Sequence, residues 1–197
     1  MNVVAQPAQP VALGDDGVKS LKKIKIFFAQ YSEFRYRPGN SSVTEFNRLC
    51  KEYHWKKDDE EKLAARYEFN LVMKQEFDTL YGSDEKDINN WYKLCHVLRI
   101  DPVPKTLGEC RAGVFRKHVN LVDLVEGTRE NIQIFGSEKE LSEYTRTTGK
   151  FFPKENAADG GVLRALRRHI LAPQDSHSTG RISRSIKNDR VGLPHWR

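Results

Sequence analysis

Apolar residues recur at three- and four-residue spacings along most of the chain, the period that gives an α-helix one buried face. In Lys22-Lys23-Ile24-Lys25-Ile26-Phe27-Phe28 this places Ile24, Phe27, Phe28 and then Tyr31 on one side, with lysines opposite. From Ser42 onward Phe46, Leu49, Cys50 and Tyr53 form the next face, and after Asp58 a longer helix runs through Leu63, Tyr67, Leu71 and Leu80 to a glycine stop at Gly82. Asp84 to Leu98 aligns Ile88, Trp91, Leu94, Cys95 and Leu98, and Pro102 and Pro104 bar the helix from continuing. Thr106 to Lys117 aligns Leu107, Cys110, Val114 and Phe115. A helix over about 138–147 closes at Gly149, and Phe151-Phe152-Pro153 follows as an anchoring loop. The last helix spans about 157–171, with Val162, Leu163, Leu166 and Ile170 inward and Arg164, Arg167 and Arg168 outward.

Chemistry at the helix starts supports this division. Ser42-x-x-Glu45, Thr106-x-x-Glu109 and Ser137-x-x-Glu140 match the capping box, in which a hydroxyl and a carboxylate each accept a free backbone proton of the first turn. In His118 to Val125, polar His, Asn and Asp sit among Val and Leu pairs. The structural reading makes Asn120 a cap and Asp123 a first-turn acid, and the alternative is part of a partner-binding groove. Leu121 to Val125 fits either a short strand or a helical turn, and Asn131 to Phe135 alternates with period two as a strand does. The predicted fold is mostly α: a compact bundle of six to seven short helices with at most a small β element, flanked by disordered tails. No internal repeat appears.

Composition changes the picture at the ends. The chain has 197 residues, with 33 Lys plus Arg against 27 Asp plus Glu. Residues 1–17 are rich in Pro, Gly and Gln, carry no Lys or Arg and are charged −2, which predicts a disordered leader. Residues 174–197 turn to Ser, Gly, Asn and Arg with net charge +3, a basic disordered tail, and 18–173 is read as one helical domain of charge +5. No apolar run is long enough to span a bilayer, so no membrane partner is expected. Val3 to Ala5 is too short for a signal-peptide core. Cys50, Cys95 and Cys110 cannot all pair within the chain, and they read as reduced, buried thiols of an intracellular, cytoplasmic or nuclear protein.

No phosphate-binding glycine loop, Gly-x-Ser-x-Gly elbow or His-Glu-x-x-His helix is present, and Gly160-Gly161 reads as close packing rather than a ligand site. Cys50 and His54 lie four apart, and Cys95-His96, Cys110 and His118 follow, all residue types that zinc accepts. Yet there is no Cys-x-x-Cys knuckle, and Cys95 and Cys110 fall on apolar stripes. A catalytic Cys–His pair is the related enzyme alternative. Asp58-Asp59-Glu60-Glu61 complements a helix N-terminus better than it makes a cation site. No catalytic, cofactor or metal residue is therefore assigned. Lys22, Lys23, Lys25, Arg35, Arg37, Arg164, Arg167 and Arg168 form the candidate surface for a protein partner or nucleic acid, since bases could stack on the interleaved rings. Ser183 and Ser185, in Arg181-Ile182-Ser183-Arg184-Ser185, are candidate regulatory phosphorylation sites of the tail.

Phe46-Asn47-Arg48-Leu49-Cys50, Tyr81-Gly82, Trp91 to Cys95, His118 to Val125 and Tyr144 to Pro153 together resemble a family of small proteins of filamentous fungi, over most of residues 26–171. The chain is also similar to fungal subtelomeric factors that shape hypoxic colony and biofilm architecture. The resemblance implies a fungal source and a shared fold, and it carries over no catalytic residue. The expected function is a non-enzymatic regulatory protein acting through protein–protein contacts, with an influence on colony or biofilm morphology. A nucleic-acid-associated protein and a Cys- or metal-dependent enzyme are the alternatives.

Overall fold

The computed structural model of the chain describes residues 21–153 and 161–166, the side chains of Arg164 and Ala165 excepted. The elements run α1 (Lys22–Ala29), α2 (Ser42–Glu52), α3 (Glu60–Tyr81), α4 (Ile88–Val97), α5 (Leu107–Phe115), β1 (His118–Val119), α6 (Leu121–Glu126), β2 (Ile134–Phe135), α7 (Glu138–Thr148) and α8 (Val162–Leu166). The fold is mostly α, as the periodicity predicts, with one two-stranded sheet among the described residues. β1 and β2 pair antiparallel, His118 opposite Phe135 and Val119 opposite Ile134. The strand predicted over 131–135 is thus its last two residues, and Leu121 to Val125 is helical. The predicted leader and basic tail lie outside the described residues.

The 22-residue α3 is the spine, with α1, α4, α6 and α8 packed against it. Ala65, Phe69 and Met73 belong to one core, shared with Ile24, Phe27 and Phe28 of α1 and Phe46 and Leu49 of α2. Phe77 and Tyr81 belong to a second core with Trp91, Leu94 and Leu98, Cys110 and Val114, Leu124 and Val125, and Val162, Leu163 and Leu166. Leu21 and Phe152 pack against both, so Phe152 acts as an anchor, while Phe151 stays exposed.

The face predicted for α3 is a correction. Leu63, Tyr67 and Leu71 are 56%, 70% and 44% exposed. The buried face, Ala65, Phe69, Met73, Phe77 and Tyr81, is displaced by two residues, about 200° around the helix. Two apolar stripes compete for the core, and the one carrying Phe69 wins because its ring meets Phe46, stacked at 4.7 Å, and Phe27 at 5.5 Å. Phe115 is a second correction. Cys110, Gly113 and Val114 form the inward stripe of α5, and Phe115, one position further round, is 40% exposed and 6.4 Å from Trp91. Helix α8 opens at Val162, after Gly161, which is held at φ +95, where a Cβ would overlap the Ser83 carbonyl oxygen; the predicted start near Ala157 lies outside the described residues. Its predicted continuation to 171 lies outside the described residues.

The three capping boxes diverge. Thr106 and Glu109 form the full reciprocal box. Ser137 accepts from Glu140 N–H at 3.2 Å, but the Glu140 carboxylate reaches Gly136 N–H at 3.0 Å, one residue further back. At α2 the prediction fails: Ser41 is the N-cap and gives no side-chain bond. The Ser42 N–H instead donates to Glu126 of α6 at 2.8 Å. Glu45 is drawn away by the Arg37 N–H at 2.9 Å, the Asn40 amide at 2.7 Å and the Arg48 guanidinium. Glu76 of α3 does the same service for α1, accepting from Lys23 N–H at 2.6 Å and Ile24 N–H at 3.3 Å.

Candidate functional site

Helix α2 ends without a glycine. The His54 N–H donates to Lys51 O at 3.1 Å and the Trp55 N–H to Cys50 O at 3.0 Å, the paired bonds of a Schellman motif. That motif needs a left-handed residue, and His54 takes the position at φ +54. The turn projects His54 and Trp55 toward the start of α3, and between them lies a pocket of about 510 Å³. Asn47, Cys50 and Lys51 of α2 line one side, and Lys62 and Arg66 of α3 line the other.

This lining is strongly one-signed. Lys51, Lys62 and Arg66 are cationic side chains, and no carboxylate is among the lining residues. Two other cations show what pairing looks like in this fold: Arg48 pairs with Glu45 and Glu52, and Lys150 with Asp123 at 2.6 Å. Lys51, Lys62 and Arg66 enter no ion pair among the described residues. Lys62 and Arg66 are four apart on one helix, a spacing at which like charges destabilise it. The half-buried Arg66 guanidinium lies 4.0 Å from the Phe46 ring centroid. Burial holds its pKa below the ordinary arginine value.

The thiols are poorly set for nucleophilic chemistry. Burial pushes the Cys50 thiol up, and the opposing pull of Arg66 and Lys62 does not restore it. Cys95 is pushed up to about 12 by burial, reinforced by Cys110, and Cys110 is raised by burial as well. Nucleophilic attack needs the thiolate, so all three are held in the unreactive form near neutral pH. The pocket offers its occupant charge, an amide and an indole face.

The residues singled out by sequence fare differently. Lys22 and Lys25 are exposed, and the Lys23 ammonium donates to Thr79 Oγ1 at 2.8 Å. The rings between them are turned inward: Phe27 and Phe28 are buried, and Tyr36, between the exposed Arg35 and Arg37, stacks on Phe28 at 4.5 Å. The Arg164 side chain, Arg167, Arg168, Ser183 and Ser185 lie outside the described residues. Cys50 and His54 do line one pocket, though His54 is past the end of α2 and not on its face as the four-residue spacing predicts. Cys95 and Cys110 share the second core while His96 is exposed. Among the described residues no three His, Cys, Asp or Glu side chains converge as metal ligands would.

The segment from His118 to Val125 takes the structural reading. Asn120 Oδ1 accepts from Val122 and Asp123 N–H, and its amide donates to Thr145 Oγ1 and Lys150 O, both at 3.0 Å. Asp59 is the N-cap residue of α3 and Glu60 and Glu61 its first-turn acids, as the acidic run predicts. Sequence reasoning missed Lys51, Trp55, Lys62 and Arg66. The signal available was Lys62 and Arg66 at helical spacing near a helix start, where positive charge is unfavourable. No described helix is long and apolar enough to cross a membrane. Compared with protein-family models, with curated proteins and with solved structures, the chain matches none of them.

Proposed function

We propose that this chain is a non-enzymatic intracellular regulatory protein that works by binding another protein, and that it influences colony or biofilm morphology in a filamentous fungus, as its sequence resemblance implies. The observation that carries the binding reading is the solvent face of α3. Leu63, Tyr67 and Leu71 stand exposed at four-residue spacing, a stripe about 12 Å long. Rows of this kind are how an amphipathic helix engages a partner's groove. The inner face of the same helix is fixed in both cores, so little ordering cost attends contact. Protonated, buried thiols support a binding role over a covalent one.

Proximity labelling in cells tests the reading, with the full chain set beside a Leu63→Ser, Tyr67→Ser, Leu71→Ser variant whose fold is verified by circular dichroism. The expected result is a reproducible partner whose labelling falls at least about tenfold in the variant, the consequence of losing anchor residues. Identical labelling by both proteins would sink the reading. Nucleic-acid binding is the weaker alternative, because the rings of Phe27, Phe28 and Tyr36 that would stack on bases are occupied in the core.

A further inference from the structure

We propose that the pocket between α2 and α3 binds a phosphate monoester, its dianion held by Lys51, Lys62 and Arg66 and its organic part resting against Trp55. The first argument is charge. Three cationic side chains line one cavity without a carboxylate among them, and none of the three has an ion-pair partner among the described residues. The Lys62 and Arg66 charges repel each other at four-residue spacing, and Lys62 sits in the first turn of α3, where the helix dipole adds to the penalty. An arrangement that is costly when empty and relieved by a dianion is what an anion site requires. The second argument is geometry. Arg66 is half-buried and braced on the Phe46 ring, so its planar fork is pre-oriented and loses little freedom on binding.

Size and lining favour an ester over a bare anion. A volume of about 510 Å³ is in the range of small-molecule pockets and exceeds what one phosphate fills. Trp55 is half-buried, its ring 5.8 Å from Tyr31 and 5.3 Å from Tyr53, and so it is a fixed apolar wall. Asn47 adds a neutral donor and acceptor. His54 is held toward the pocket by a left-handed backbone that costs a non-glycine residue energy. Two sources present this chemistry: a free mononucleotide, and a phosphorylated aromatic side chain of a partner protein. The proposal stands apart from the α3 stripe, whose residues do not line the pocket.

Isothermal titration of the full chain with AMP, phenyl phosphate, adenosine and phenol tests it. Saturable heat is expected with at least one of the two esters and with neither neutral analogue. AMP binding tighter assigns a free nucleotide, and phenyl phosphate binding tighter assigns a phosphorylated side chain. The Lys51→Gln, Lys62→Gln variant is expected to weaken the preferred ester by about a hundredfold, since each lost charge-assisted contact is worth on the order of one decade. Because Arg66 packs on Phe46, Arg66→Gln risks the fold, so the lysine variant decides. No saturable heat with either ester, or equal affinity in the lysine variant, overturns the proposal.

Discussion

Around Phe46 and Phe69 the core is built from rings; around Leu94 and Val114 it is built mainly from aliphatic side chains and two thiols. The helix starts differ in parallel. In the aliphatic half α4 and α5 begin on their own Asp87 and Thr106 side chains, as do α6, which joins both cores, on Asn120 and the flanking α7 on Ser137. In the aromatic half α1 and α2 have no local side-chain cap, and their free N–H groups are taken by Glu76 of α3 and Glu126 of α6. One half can therefore define its helices from neighbouring residues, whereas the other defines them only once distant elements have packed. The pocket lies at the rim of the second kind of core, where α2 and α3 are held by ring contacts between Phe46 and Phe69.

The largest effect that tests this contrast comes from the rings. Phe69 is fully buried and meets Phe27, Phe28 and Phe46. Phe69→Ala is expected to cost about 3–5 kcal/mol, and Leu94→Ala, also fully buried, less within a range of about 2–5 kcal/mol. Urea unfolding midpoints at unchanged slope measure both. An equal or smaller loss for Phe69→Ala would break the contrast, since the aromatic core would then tolerate a cavity as well as the aliphatic one.

Caps give the next effect down. Glu76→Ala leaves the Lys23 and Ile24 N–H groups without their acceptor at the buried end of α1, an expected cost of about 2–3 kcal/mol. Thr106→Ala removes one exposed local cap and is expected to cost about 1 kcal/mol. Hydrogen exchange separates the mechanisms. In Glu76→Ala the amides of α1 are expected to lose protection ahead of those of α5, and uniform loss across both helices would show that Glu76 acts on global stability alone.

The same contrast explains what could be read from the sequence. Periodicity placed α2, α4, α5 and α7 because each has an apolar stripe, sharpened by punctuating residues such as Pro102 and Pro104 after α4 and Gly149 after α7. It misassigned α3 because that helix carries two stripes, and only the positions of Phe27 and Phe46, remote in sequence, decide which is inward. The box at Ser42 failed for a similar reason: Arg37, Asn40 and Arg48 outcompete the helix N-terminus for Glu45, and those contacts depend on the path of the preceding loop. The pocket was half visible through Cys50 and His54. Its cations were not, because the turn that brings Lys51 toward Lys62 and Arg66 uses a left-handed histidine where sequence rules look for glycine.

The subtlest test uses two glutamates of opposite character, Glu45 buried and Glu126 half-buried. Burial alone would raise the Glu45 pKa, but Arg48, Asn40 and the Arg37 N–H outweigh it and hold the carboxyl below the ordinary value. Glu126, at the seam between the cores, is held above it: burial dominates, and the Ser42 N–H, the nearby Ser42 and Ser41 hydroxyls and Lys150 recover only part of the cost. The signs follow from proton linkage. Glu45 contributes stability present above its unfolded pKa and lost as pH falls through its lower folded pKa. For Glu126 the folded state holds its proton more tightly than the unfolded state, so stability declines as pH rises from the unfolded value through the raised folded one. Glu45→Gln is therefore expected to be most damaging at neutral pH and progressively less so as acid is added. Glu126→Gln should compare best with the parent chain at neutral pH and lose that relative advantage on acidification. Urea midpoints from about pH 3 to about pH 7 measure both trends. Parallel pH dependences would mean that the partners of Glu126 offset its burial as fully as those of Glu45 do, and that the seam does not hold its carboxyl above the ordinary value.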